Sequence, residues 1–185
     1  MTINMAVKVG ITGPVGSIKA EAVSKIIDML QKDGKIVQGV LVSEIMQNNK
    51  LSGYSLFDIN TKKRITFAQL NIVSRVKIDK LGVDTRLLEE ILIPSLQKAR
   101  EEADIIVIDE IGKLENTTKA IRNEIQTTLK CEKPLIVTLH KKSRNPVLQE
   151  IRSLEGIRVF DITPINRNIL PFKVLRVLKG EEGIT

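Results

Sequence analysis

The chain has 185 residues and a formal net charge of +7, with 42% hydrophobic but only 3% aromatic residues. That length predicts one domain whose core is built mainly from Ile, Leu and Val, and the basic balance favours polyanionic partners such as nucleotides or nucleic acid without choosing among them. A single cysteine, Cys131, and a single histidine, His140, exclude an internal disulfide, a cysteine-rich metal site and multi-histidine metal ligation, and weigh against a Ser-His-Asp site.

The opening "MTINMAVKVG" runs into a strand pattern without the apolar core of a signal peptide, and no apolar run approaches the ~18 residues of a membrane span. A cytoplasmic protein with no membrane partner is expected. "AVKVGIT" (6–12) reads as a buried strand. Ala22, Val23, Ile26, Ile27 and Leu30 then repeat at helical steps until "KDGK" ends the helix. "IVQGVLVSEI" (36–45) is a second strand. Between 46 and 84 the turn clusters "QNNK" and "NTKK" separate the period-two segments "LSGYSLFDI" and "RITFAQL", which predicts an antiparallel hairpin or meander inserted in the fold.

Helical spacing returns at Leu88, Leu92 and Leu96, with Pro94 expected to kink the helix. "ADIIVIDE" (103–110) is an apolar strand ending in two acids. Ile121, Ile125 and Leu129 mark one face of a further helix, and "PLIVTLH" (134–140) is another buried strand. "NPVLQEIRSLEG" carries the cap, early Pro and final Gly of a short helix, "IRVFDIT" (157–163) is a last strand, and a helix near 166–179 closes the domain. Strands separated by helices imply crossovers, and so an α/β fold with a mostly parallel sheet. Ligands bind such sheets beyond the carboxyl ends of the strands.

Three segments fall at those ends. "GPVGSIKA" (13–20) lies where a phosphate-binding loop must lie, between strand and helix. Against the template G-x-x-x-x-G-K-[ST], Gly13 and Lys19 are in register, whereas Ile18 and Ala20 depart. The segment alone is either a phosphate loop, with Lys19 reaching the β- and γ-phosphates, or a Gly-rich turn. Asp109 ends its strand in the Walker B manner, suited to holding Mg²⁺ directly or through water, and Glu110 is placed to orient or activate a water molecule. The competing reading is a pair of solvated acids at a strand end; the upstream loop favours the nucleotide reading. His140 either senses a γ-phosphate or is an ordinary loop residue, the latter preferred. Lys141, Lys142 and Arg144 either neutralise phosphate or form a solvated basic loop. Cys131 reads as structural rather than reactive.

"VIDEIGKLE" (107–115), with "ITGPVG", "TLHKK" (138–142) and "EIRSLEGIRVFDITPINRN" (150–168), resembles the small nucleoside-triphosphatase family of thermophilic microbes and animals, called cancer-related nucleoside-triphosphatase in animals. The resemblance extends from about residue 6 to the last helix. It implies a three-layer, RecA-like P-loop fold with helices on both faces of the sheet and a β-hairpin insertion. It also implies slow Mg²⁺-dependent hydrolysis of nucleoside triphosphates such as ATP or GTP, with little preference among bases. By resemblance, Gly13, Pro14, Val15, Gly16, Ser17, Ile18, Lys19 and Ala20 form the phosphate loop, Asp109 is the Mg²⁺-linked acid and Glu110 the water-activating acid. Lys113 falls on the family's lysine beyond them, and Arg167 on the arginine of its Asn-Arg-Asn run.

The chain departs from that family where the loops face the nucleotide. Ile18-Lys19-Ala20 stands for Gly-Lys-Thr, Leu51 for an arginine before the Gly-aromatic pair, and "IDKL" (78–81) for a Val-Gly-x-Tyr motif. Ala20 has no hydroxyl for Mg²⁺, Ile18 is expected to crowd the anion or the neighbouring strand, and Glu21 to repel a triphosphate unless a metal screens it. Hydrolysis is therefore expected to be weak or lost. The alternative is a non-catalytic protein that binds a nucleotide, a phosphometabolite or RNA at the remodelled loop. A phosphotransferase is less favoured, since no arginine-rich lid is found.

Overall fold

The computed structural model describes residues 6–14, 16–140 and 146–181. β1 (Lys8–Gly13) leads into α1 (Ser17–Lys32), followed by β2 (Val37–Gln47), β3 (Lys50–Asp58), β4 (Arg64–Gln69), β5 (Lys77–Ile78) and β6 (Leu81–Val83). Then come α2 (Thr85–Glu102), β7 (Ile105–Asp109), the one-turn α3 (Ile111–Leu114), α4 (Lys119–Leu129), β8 (Leu135–His140), α5 (Pro146–Ser153), β9 (Ile157–Asp161) and α6 (Leu170–Leu178).

The nine strands of the described residues form one sheet in the order β5-β6-β4-β3-β2-β7-β8-β1-β9. From β2 to β9 the neighbours are parallel, as helical crossovers require. From β2 to β5 they are antiparallel. The expected parallel sheet with an antiparallel insertion is present, and the insertion extends the sheet rather than standing off it. It begins inside β2, whose first half pairs with β7 from Val37 to Leu41 and which pairs with β3 from Val40 onward. Strands as short as β5 and β6 carry no readable alternation, so the sequence reading passes over them.

The central strands alternate between two apolar faces. Ile105 and Val107 of β7 join a cluster with Val23 and Ile26 of α1 and Val174 of α6. Ile106 and Ile108 join another with Leu92 and Leu96 of α2 and Ile121 and Ile125 of α4. A strand buried on both faces reads as a continuous apolar run, which is why "IIVI" shows no polar alternation.

α2 runs through Pro94 to Glu102, with Leu88, Leu92, Ser95, Leu96 and Ala99 buried along one side. One boundary differs from the periodicity. α6 starts at Leu170 rather than near 166 because Asn166 holds a turn ahead of it: its side-chain oxygen accepts from Thr163 N at 2.8 Å and its amide donates to Asp161 O at 2.9 Å. Pro171, in the first turn, suits a helix start.

Candidate functional site

Strand alternation decides where the acids point. Asp109 shares the parity of Ile105 and Val107, so it emerges on the α1 side of the sheet. β1 and β8 end level with each other, with Gly13 opposite His140. Gly13 permits a close approach there: a Cβ would lie 2.6 Å from Ile162 Cγ2 and 2.9 Å from the Ile162 carbonyl oxygen. The chain then turns through Gly16, whose φ of 127° lies in the region that favours glycine, and enters α1. Gly16, in the capping position, has no side chain to close this first turn, whereas Asp84 and Thr118 cap α2 and α4. The leading N–H groups of α1 therefore receive no acceptor from the capping position, the usual setting for an anion.

These elements enclose a cleft of about 330 Å³. Gly16, Lys19 and Ala20 line it from α1; Asp109, Glu110 and Lys113 line it from the end of β7 and from α3. Its remaining wall is Val42, Ser43, Glu44 and Met46. The sequence reading missed these four, although β2 is much longer than β7 and so must project past the sheet's carboxyl edge.

Lys19 is 5% exposed, and its Nζ lies 3.8 Å from Glu110 Oε1 and donates to Leu139 O at 3.5 Å. Asp109 is 7% exposed and accepts a hydrogen bond from Thr138 Oγ1. Burial, reinforced by the charge of Glu110 and opposed by Thr138 and Lys19, raises its carboxyl to about 6. A buried carboxylate held above its usual range favours a cation beside it. Among the described residues no group of three or more His, Cys, Asp or Glu could hold a metal ion alone. The donor set thus fits Mg²⁺ bound through one carboxylate, water and phosphate oxygens, with no oxygen from Ala20.

Lys113 Nζ lies 2.5 Å from Asp79 Oδ2 and 4.9 Å from the centre of the Tyr54 ring. Tyr54 Oη donates to the same Asp79 oxygen at 2.5 Å. Burial and the bond to Asp79 push the phenol up to about 12. The hydrogen bonds from Lys113 and Tyr54 hold Asp79 below the usual carboxylate range, and Lys113 is raised because its partners outweigh burial.

Lys19, Asp109, Glu110, Gly16 and Ala20 therefore share one cleft, and Ile18 and Glu21 lie apart from it. Ile18 does not line it; it packs against the apolar cluster that contains Val9 and Ile11. Glu21 does not line it either: both residues border a separate hollow of about 240 Å³ with Ala22, Lys25, Arg167 and Asn168. The cause is helical geometry, since residues 19 and 20 turn toward the sheet's edge while 18 and 21 face the segment after β9. Gly13 and Pro14 precede the cleft without lining it. Val15, Lys141, Lys142 and Arg144 lie outside the described residues, as do the side chains of Ser17 and His140. Cys131 is free and half-buried against the α2–α4 core.

Known proteins share this sequence pattern and this fold. A family model described as NTPase matches residues 8–175. The chain is 75% identical over 178 residues to nucleoside-triphosphatase THEP1 of Thermoplasma volcanium, covering 96% of this chain and all of the relative. It is 31% identical to THEP1 of Thermotoga maritima, over 95% of this chain and 98% of that one. Among solved structures, THEP1 of Aquifex aeolicus superposes with a TM-score of 0.81 at 26% identity, covering 94% of this chain and 99% of that one. A human cancer-related nucleoside triphosphatase superposes with a TM-score of 0.79 at 23% identity, over 96% and 100% of the two chains, a likeness of fold.

Proposed function

The chain belongs to the NTPase family, and from that premise we propose that it binds a nucleoside triphosphate with Mg²⁺ in the 330 Å³ cleft and hydrolyses it slowly to diphosphate and phosphate. The observation that carries the reading is the convergence of Lys19, Asp109 and Glu110 beside the glycine-led start of α1.

Each residue has a role that its chemistry suits. The first-turn N–H groups of α1 and the Lys19 ammonium bind β- and γ-phosphate oxygens. Bound Mg²⁺ supplies neutralisation of phosphate charge, and Asp109 would hold it directly or through water. Glu110 accepts a proton from the attacking water as its oxygen bonds to the γ-phosphorus and the bond to the bridging oxygen breaks. Lys19 Nζ lies 3.8 Å from Glu110 Oε1. A phosphate that draws Lys19 away leaves Glu110 free to act as a base.

Ala20 is the departure with a chemical consequence, because it lines the cleft where a hydroxyl would serve the metal. Ile18 sits against the core instead. Slow turnover follows from one lost ligand rather than from a blocked loop. Phosphate release from ATP and GTP with Mg²⁺ tests this directly. Ala20→Thr is expected to raise kcat about tenfold, equivalent to about 1.4 kcal/mol of barrier, and Glu110→Gln to abolish turnover while nucleotide still binds. Binding without any phosphate release, unchanged by Glu110→Gln, favours the non-catalytic alternative.

A further inference from the structure

Lys113 lies next to the proposed water-activating acid by construction. α3 begins directly after Glu110, and Lys113 N donates to the Glu110 carbonyl at 3.2 Å. Its side chain enters the same cleft as Lys19. Unlike Lys19, it is tied to the inserted meander rather than to the acids of the site. Tyr54 is 1% exposed and stacks on Phe67, so its ring is fixed by the core. Its hydroxyl anchors Asp79, and Asp79 anchors the Lys113 ammonium.

Asp79 reaches that position through the two-residue turn between β5 and β6, in which Asp79 and Lys80 have φ of 48° and 74°. This is the backbone of a tight hairpin turn. An isolated, half-exposed Lys–Asp pair contributes little. A pair fixed by a buried tyrosine holds a defined geometry. The cleft's acids, Glu44, Asp109 and Glu110, outnumber its cations, Lys19 and Lys113. A free Lys113 would turn to the nearest of these acids and quench a base. Held by Asp79, it keeps ammonium protons for another acceptor, since an ammonium has three donors.

We propose that Lys113 is a second phosphate-binding cation that contacts the terminal phosphoryl group, and that Tyr54 and Asp79 are the positioning residues that hold it. The inference rests on the hydrolysis reading above, which puts the terminal phosphoryl beside Glu110. It gives the inserted strands a task in the reaction and makes Lys113 a discriminator between triphosphate and diphosphate.

The test compares Mg-ATP and Mg-ADP affinity by calorimetry, together with phosphate release, in the full chain and in Lys113→Ala, Lys113→Arg, Tyr54→Phe and Asp79→Asn. Lys113→Ala is expected to weaken ATP about tenfold, leave ADP within about twofold and lower kcat about tenfold or more. Lys113→Arg recovers part of kcat. Tyr54→Phe and Asp79→Asn lower kcat several-fold without changing ADP affinity. Equal losses for ATP and ADP, or an unchanged ATP/ADP ratio with unchanged kcat, overturn the inference. Should Lys113→Ala lower the melting temperature, Asp79→Asn decides, because it lies on an exposed turn and Asn tolerates its positive φ. A wild-type chain that binds neither nucleotide and releases no phosphate sinks the hydrolysis reading and this inference together. An active wild type indifferent to Lys113→Ala sinks this inference alone.

Discussion

Glu115 shows how a single residue can work against the fold it belongs to. It is fully buried, neither carboxylate oxygen has a hydrogen-bond partner among the described residues, and burial raises its pKa to about 7 despite the opposing charge of Arg122. Between pH ~4.5 and 7 the native state holds a proton that the unfolded chain releases, so stability falls as pH rises through that window. Glu115→Gln is expected to raise stability at pH 8 by on the order of 2 kcal/mol, with the gain vanishing below pH ~4; urea titrations at both values check it. Gly13 is the opposite case, a residue that fits only because it has no side chain. Gly13→Ala forces the Ile162 contact apart and should cost about 1–3 kcal/mol, read as a lower urea midpoint.

At the scale of the element, local signals and tertiary contacts divide the work. α2 has its own start signal, since Asp84 accepts from Leu87 N at 3.0 Å, and its Leu88-Leu92-Leu96 stripe selects the face it buries. Asp84→Ala should cost about 1 kcal/mol of stability, with phosphate release unchanged. A comparable loss of activity would mean that α2 bears on the cleft. The Asp84 cap was passed over, whereas the Leu stripe was legible in the sequence because it lies within one helix. The late start of α6 was not, because it depends on Asn166 bonding to Thr163 and back to the end of β9. The cleft wall from β2 was half legible: the strand was read, but its projection depends on which neighbour stops first.

For the whole molecule, nucleotide binding must appear as stability, because a ligand that binds only the folded chain shifts the unfolding equilibrium. At a hundred times the dissociation constant, Mg-ATP should add about 2.7 kcal/mol, a rise in melting temperature of roughly 5–10 °C for a chain of this size. Lys19→Ala should remove most of that rise. A rise that survives Lys19→Ala puts the anion site elsewhere on this basic chain. No helix of the described residues is long and apolar enough to cross a membrane.

The amino-acid sequence by itself determined the alternation of strands and helices, the insertion between them, and the placing of Lys19, Asp109 and Glu110 at strand and helix ends. Period and punctuation are properties of neighbours along the chain. Only the tertiary structure decided that Ile18 and Glu21 face away from the cleft while Ala20 faces into it, and that the meander's turn reaches Lys113. Those outcomes depend on how α1 is rotated against the sheet and how far the antiparallel strands coil over its edge. Rotation and coiling are set by packing between residues distant in sequence, and no local pattern records them.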